Sequence, residues 1–172
     1  NNNSISAVTS ASSIPSGALT HIKTLTASSS STLSFVDGSS DVVLDSTYPI
    51  YKFEFINIHP SATSTFQFNM SIDGGSTYAV TKTTTAFRAF HTESDSGSGL
   101  GYVAGIDLAQ STAFQDLATD SSGTDNDSGI SGTLQLFNPS STTYVKHFMS
   151  NTNSVKTDSE AKNIYIAGYR NT

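Results

Sequence analysis

The chain has 172 residues, a formal charge of −6, only 13% charged residues and no cysteine. That length supports one β domain with a core and is too short for a multi-bladed propeller. The acidic balance, with few and scattered Lys and Arg, argues against nucleic-acid binding, and the lack of cysteine excludes a disulfide framework or a thiolate metal site. A composition rich in Ser, Thr, Asn and Gly favours strands joined by polar turns over amphipathic helices.

Residues 1–18, "NNNSISAVTSASSIPSGA", carry only Ile5, Val8 and Ile14 as larger apolar side chains and end on a Pro-Ser-Gly breaker. Such a segment buries too little apolar area to hold itself, and reads as an extended N-terminal arm whose three aliphatic residues dock on a partner. The domain proper is read as 19–172. Period-two alternation predicts strands over 19–26 ("LTHIKTLT") and 31–36 ("STLSFV"), and most clearly over 48–59 ("YPIYKFEFINIH"). In that third segment Tyr51, Phe53 and Phe55 share one face and Lys52 and Glu54 the other, until Ile56 and Ile58 are expected to make the second face apolar too.

Phe66, Phe68, Met70 and Ile72 alternate with polar residues, and Tyr78 and Val80 resume the alternation after "DGG", which predicts a hairpin. Four more strands are predicted over 85–92, 130–138, 142–150 and 163–170, the middle two joined by the turn "NPSS". Between 93 and 129 the pattern weakens into a long decorated loop, with a short helical turn expected within 107–118. About eight short, mostly antiparallel strands imply an all-β fold, an antiparallel two-sheet sandwich of jelly-roll type or a small barrel.

The stretch "SIDGGSTY" at 71–78 resembles the Asp-box of sialidases and related propellers. Asp73 can bond to its own following backbone, and Gly74 and Gly75 accept positive φ, so these three residues read as a structural turn. In Asp-box proteins the motif is a turn away from the catalytic centre, and here it occurs once. It therefore brings no catalytic residue.

The remaining polar groups form no recognisable reacting centre. His21, His59, His91 and His147 lack zinc-site spacing. The acidic loop 118–129 offers Asp120, Asp125 and Asp127 as oxygen ligands of the kind calcium takes, without the glycine and glutamate positions of an EF-hand. Glu93 with Asp95, or Asp107 with Asp116, can be posed as a glycosidase pair, but sequence does not supply the separation that such chemistry needs. No G-x-S-x-G elbow or phosphate-binding loop is present. No catalytic residue and no cofactor are expected.

Tyr78, Phe90, Tyr102, Phe114, Tyr144 and Tyr169 exceed what one small core needs. Of these, Tyr102 and Phe114, lying in the long loop region, are the candidates for contact with a glycan or another subunit.

The blocks "FEFINIHPSATSTFQFNMSIDGGSTY", "AFRAFHTESD", "DLAQSTAFQ" and "LFNPSSTTYVKHFMS" together resemble virion-associated proteins of tailed, especially marine, bacteriophages. The resemblance covers most of residues 20–170, and the combination of blocks carries its specificity. It implies a non-enzymatic structural protein located in the virion, a capsid-decoration or head-fibre protein or a tail-fibre or spike component. The arm would dock and the β domain project. It also implies a homo-oligomer, expected to be a trimer, that contacts other capsid or tail proteins and host-surface glycan, with no nucleic acid and no membrane insertion. Members of that group often continue past a segment like "AGYRNT" into one or two further strands, whereas this sequence stops at Thr172, which leaves a trimmed protein as one reading. The alternative function is a carbohydrate-binding module, and a glycan hydrolase ranks last.

Overall fold

A computed structural model describes residues 19–119, 123–156 and 159–171. The chain divides into two compact units, one up to Val43 and one from Leu44 onward. The arm residues Ile5, Val8 and Ile14 lie outside the described residues.

In the first unit, residues 19–43 form no ladder, so the strands predicted over 19–26 and 31–36 are not observed. Alternation marks a chain suited to a sheet, but a strand exists only where a neighbouring strand forms a ladder with it, and no ladder is formed there among the described residues. The clearest local structure here is a turn in which Ser39 N–H donates to Val36 O (3.0 Å) and Gly38 N–H to Val42 O (3.0 Å), with Gly38 at φ 72°.

The second unit is all-β, with eight strands and no helix among the described residues: β1 (Ile50–Ile58), β2 (Gln67–Phe68), β3 (Thr83–Thr92), β4 (Ser98–Tyr102), β5 (Gln115–Asp116), β6 (Gly129–Phe137), β7 (Lys146–Lys156) and β8 (Glu160–Arg170). Six of them form one antiparallel sheet in the order β1-β6-β7-β8-β3-β4, and β2 pairs with β5 in a separate two-stranded ribbon. β1 follows the clearest alternation, whereas β7 begins at Lys146, later than the predicted start at 142, and continues through polar residues to Lys156. β7 and β8 run with continuous register from Lys146↔Arg170 to Lys156↔Glu160.

One face of the sheet, hereafter the inner face, buries Ala86, Leu134, Phe148, Ile164 and Ile166, against which Ile106 and Leu117 pack from the 103–119 segment. Phe53, Phe55, Phe66, Phe68 and Met70 extend this core, with edge-to-face contacts between Phe55 and Phe66 (4.9 Å) and between Phe68 and Phe148 (5.1 Å). Burial of apolar area on this face supplies the main stabilisation.

Three expectations are corrected. Ile56 does not start a buried second face: it is 79% exposed. A bulge between Phe55 and Ile58 places two residues of β1 opposite Ser131 alone, Asn57 takes φ 50°, and its N–H donates to Ser131 Oγ (3.0 Å). The extra residue returns Ile58 to the inner face, opposite Ile130.

The arms of the predicted hairpin over 66–80 form no ladder with each other. β2 pairs instead with β5, Ile72 is exposed, and Asn69 joins the arms through its side chain, donating from Nδ2 to Tyr78 O (2.8 Å) and Thr112 O (3.1 Å). A side-chain amide has replaced the cross-strand peptide bonds.

The helical turn expected within 107–118 is absent. That segment is irregular, with Gln110 at φ 50°, and partners on and just before β3 hold its backbone: Lys82 and Ser111 exchange two hydrogen bonds (2.9 and 3.0 Å), and Thr84 N–H donates to Leu108 O (2.8 Å). Buried side chains secure it. Thr84 Oγ1 donates to Gln115 Oε1 (2.7 Å), Gln115 Nε2 to Ile106 O (2.9 Å), and Thr152 Oγ1 to Leu117 O. The loop 93–129 also contains the edge strand β4, whose Ser-Gly-Leu-Gly-Tyr composition hid it from period-two reading.

Candidate functional site

The Asp-box-like stretch is a turn, as its residues predict. Asp73 Oδ1 accepts from Ser71 Oγ (2.5 Å), Thr77 N–H (2.8 Å) and Ser76 N–H (3.1 Å), while Ser71 Oγ accepts from Gly75 N–H (3.0 Å). Gly74 and Gly75 hold φ of 69° and 84°. The Ser71 hydroxyl, with the Thr77 backbone and side chain, draws the Asp73 carboxyl down to about 2. An open groove of about 580 Å³ borders this turn, lined by Ile72, Asp73, Thr77, Gln110 and Arg170 among others. The turn amides already occupy the acid of that groove.

Three of the four posed carboxylates are engaged elsewhere. Asp107 accepts from the Tyr102 hydroxyl (2.5 Å), Asp116 from Gln67 Nε2 (2.5 Å), and Asp95 lies 3.2 Å from His91 Nε2. Glu93 is anchored through its N–H to Ser159 O (2.9 Å). The histidines also have separate partners: His21 meets Thr24 Oγ1 (2.9 Å), His59 the carbonyl of Asp125 (2.7 Å), and His147 lies beside the Tyr169 ring at 6.4 Å. Among the described residues no group of three or more His, Asp or Glu side chains could hold a metal ion. Asp125 accepts from Ser128 N–H through its carbonyl (2.9 Å), Asp127 lies in the same loop, and Asp120 is outside the described residues.

The unusual surface is the outer face of the large sheet. Register places Tyr102, Phe87 and Tyr165 in one cross-strand row over β4, β3 and β8, continued by Asn151, Thr133 and Glu54. The next row holds Met149, Ala167 and Thr85, and Leu100 stands opposite Ala89 on the other side. Leu100 is 76% exposed, Tyr102 59%, Met149 55% and Phe87 43%. Between Phe87, Tyr165 and Met149 a small apolar dent of about 140 Å³ opens over Ala167 and Thr85.

Phe87 and Tyr165 stack with centroids 4.8 Å apart and planes 12° from parallel. That separation equals the distance between neighbouring strands, and each ring covers one face of the other. Stacked rings beside an apolar dent suit the interdigitation of apolar side chains, as where two protein surfaces meet. The Tyr102 hydroxyl donates to Asp107, which raises its pKa. Phe114 is exposed but precedes β5, on no strand of this sheet.

Of the aromatics singled out from sequence, Tyr102 belongs to this face, and Tyr169 lies on it one row further on. Phe90 points inward, with the Arg88 guanidinium 5.2 Å from its ring centre. Sequence reading missed Phe87, Leu100, Met149 and Tyr165. The available signal was a strand apolar on both faces: in "NIYIAGYR" Ile164 and Ile166 alternate with Tyr165, Ala167 and Tyr169.

Comparison with known proteins gives no match of this chain to a family model, a curated protein or a solved structure.

Proposed function

We propose that this chain is a non-enzymatic structural protein of a tailed-phage virion, a capsid-decoration or head-fibre protein or a tail-fibre or spike component. Its β domain is held by copies of itself and by the particle. The observation that carries the reading is the exposed apolar row of the outer sheet face, Tyr102, Phe87 and Tyr165 with Leu100 and Met149 beside it. A contiguous patch of this kind marks an interaction surface, and the apolar dent beside the stacked rings suits a protein side chain. The resemblance of its sequence blocks to those of virion-associated proteins is what suggests the particle. Within this reading the domain is a jelly-roll-like sandwich, with the β2–β5 ribbon belonging to its second layer, and residues 1–18 are the docking arm.

The test is incorporation into particles. Purified phage should contain the protein by mass spectrometry, and removal of residues 1–18 should abolish incorporation while the circular dichroism of the β domain is retained. Absence from purified particles rejects the reading. Binding of the isolated protein to a glycan array, lost on substitution of Tyr102 or Phe114, would establish the carbohydrate-binding alternative.

A further inference from the structure

We propose that β4 pairs edge to edge with β4 of a second copy, in an antiparallel two-fold contact centred on Leu100. This deepens the reading above, on which it rests, by naming the partner of the sheet edge that borders the outer face.

Hydrogen bonds at the two ends of the β3–β4 ladder fix which backbone groups of β4 are already used. Val103 N–H donates to Ala86 O (3.0 Å) and Thr92 N–H to Gly97 O (2.9 Å). By the alternation of an antiparallel ladder, Gly99 and Gly101 are the β4 residues bonded to β3, opposite Phe90 and Arg88. Ser98, Leu100 and Tyr102 therefore aim their N–H and C=O groups out of the sheet edge. All five residues of β4 are exposed.

Proteins protect such an edge with charges, proline or a bulge. The opposite edge, β1, has such protection: the bulge at Ile56 and Asn57, and the Lys52–Glu54 ion pair at 2.7 Å. β4, "SGLGY", has none. Its sequence is also symmetric about Leu100 in the respect that matters. Antiparallel pairing with a second β4 sets Leu100 against Leu100 and Ser98 against Tyr102, with about six backbone hydrogen bonds. The outward groups of both strands are consumed, and the two outer faces join into one.

Gly101 supplies an independent observation. Gly99 is required within one copy, because a Cβ there would lie 2.8 Å from the Phe90 ring. A Cβ on Gly101 would meet nothing within 4 Å, so its own chain gives no reason for a residue that weakens a strand. In the paired arrangement Gly101 faces the partner's Gly99 in the close, non-hydrogen-bonded position, where the partner's Phe90 ring leaves no room for a side chain.

Edge pairing sets the apolar strips of the two copies side by side and leaves them uncovered. A contact over the five residues of β4 is small beside the roughly 800 Å² per partner of a standard stable interface. The contact is therefore a reversible dimer that dissociates on dilution. It is isologous and closes on itself, in contrast to the trimer expected from resemblance.

The test uses the full chain. Sedimentation equilibrium from micromolar to submillimolar concentration should show a monomer–dimer equilibrium. Gly101→Val should abolish the dimer while the melting temperature of the monomer holds or rises. Because the chain has no cysteine, Leu100→Cys should oxidise to a covalent dimer, whereas Ile56→Cys on the opposite edge should not. A wild-type monomer at all concentrations, a trimer, a dimer that survives Gly101→Val, or cross-linking at position 56 but not at 100 would each overturn the pairing. A wild-type monomer that dimerises only after removal of residues 1–18 would place the arm on the edge, and overturns it too. Incorporation into particles is read separately, so a protein that enters particles without dimerising defeats the pairing and leaves the virion reading in place.

Discussion

Phe87 on β3 and Tyr165 on β8 stack across one inter-strand gap, 4.8 Å between ring centres, on the sheet face that no part of the described β unit's core covers. The pair is directly opposed in register. A double-mutant cycle of Phe87→Ala and Tyr165→Ala, read by denaturant unfolding at dilutions where the protein is monomeric, is expected to give a coupling of about 0.5–1.5 kcal/mol. A coupling near zero would mean that the rings do not stack in solution.

Lys82 is 1% exposed, and its Nζ donates to Asn69 Oδ1 (2.7 Å) and Val80 O (3.0 Å), both uncharged. Burial pushes its pKa down to about 8 from 10.5. Below pH 8 the folded protein carries an ammonium ion at a desolvation cost that the unfolded chain does not bear. As pH rises from about 8 towards 10.5 the folded form releases its proton first, so this group makes stability increase across that window. Lys82→Met is expected to remove this contribution. The difference in unfolding free energy between wild type and variant, followed over pH 7–11, checks it, and a flat difference would refute it.

Asp73 behaves in the opposite sense. Its folded pKa of about 2 lies below the model-compound value of 3.8, so its stabilisation is present above that value and is lost as pH falls through about 2. Carboxyl-carbon NMR should show Asp73 titrating at about 2, below its ordinary value of 3.8. Asp73→Asn keeps an acceptor for the Ser76 and Thr77 amides and should melt higher than Asp73→Ala, with neither showing the acid-range transition of this residue.

Gly168 on β8 lies where strand meets core. A Cβ there would fall 2.6 Å from Phe148 Cζ, 2.6 Å from Thr84 Cγ2 and 2.9 Å from Thr83 O. Gly168→Ala is expected to destabilise by about 1–3 kcal/mol, the usual cost of overpacking. Phe148→Leu in the same chain should recover part of that loss by making room. The shift in denaturant midpoint at constant m-value measures both.

Asn57 shows where local pattern loses its authority. Its φ of 50° suits Asn and would cost a β-branched residue about 1–2 kcal/mol, so Asn57→Gly should be neutral and Asn57→Val destabilising in thermal melts. Nothing in "FEFINI" announces the bulge, since its effect is to undo the alternation by which Ile56 and Ile58 seem to share a face.

The amino-acid sequence by itself determined the all-β character, the long strands and the Asp73–Gly75 turn. Side-chain parity along a strand and the φ demands of a turn are properties of neighbouring residues. Only the tertiary structure decided which parity is covered, that β2 joins β5, that buried Thr84, Gln115 and Thr152 hold residues 103–119 against the sheet, and that β4 forms an open edge. These outcomes depend on partners distant in sequence, and whether an apolar face is core or surface depends on what is packed against it. Tyr165 and Ile166 are adjacent and both apolar, yet one stands in solvent and the other in the core.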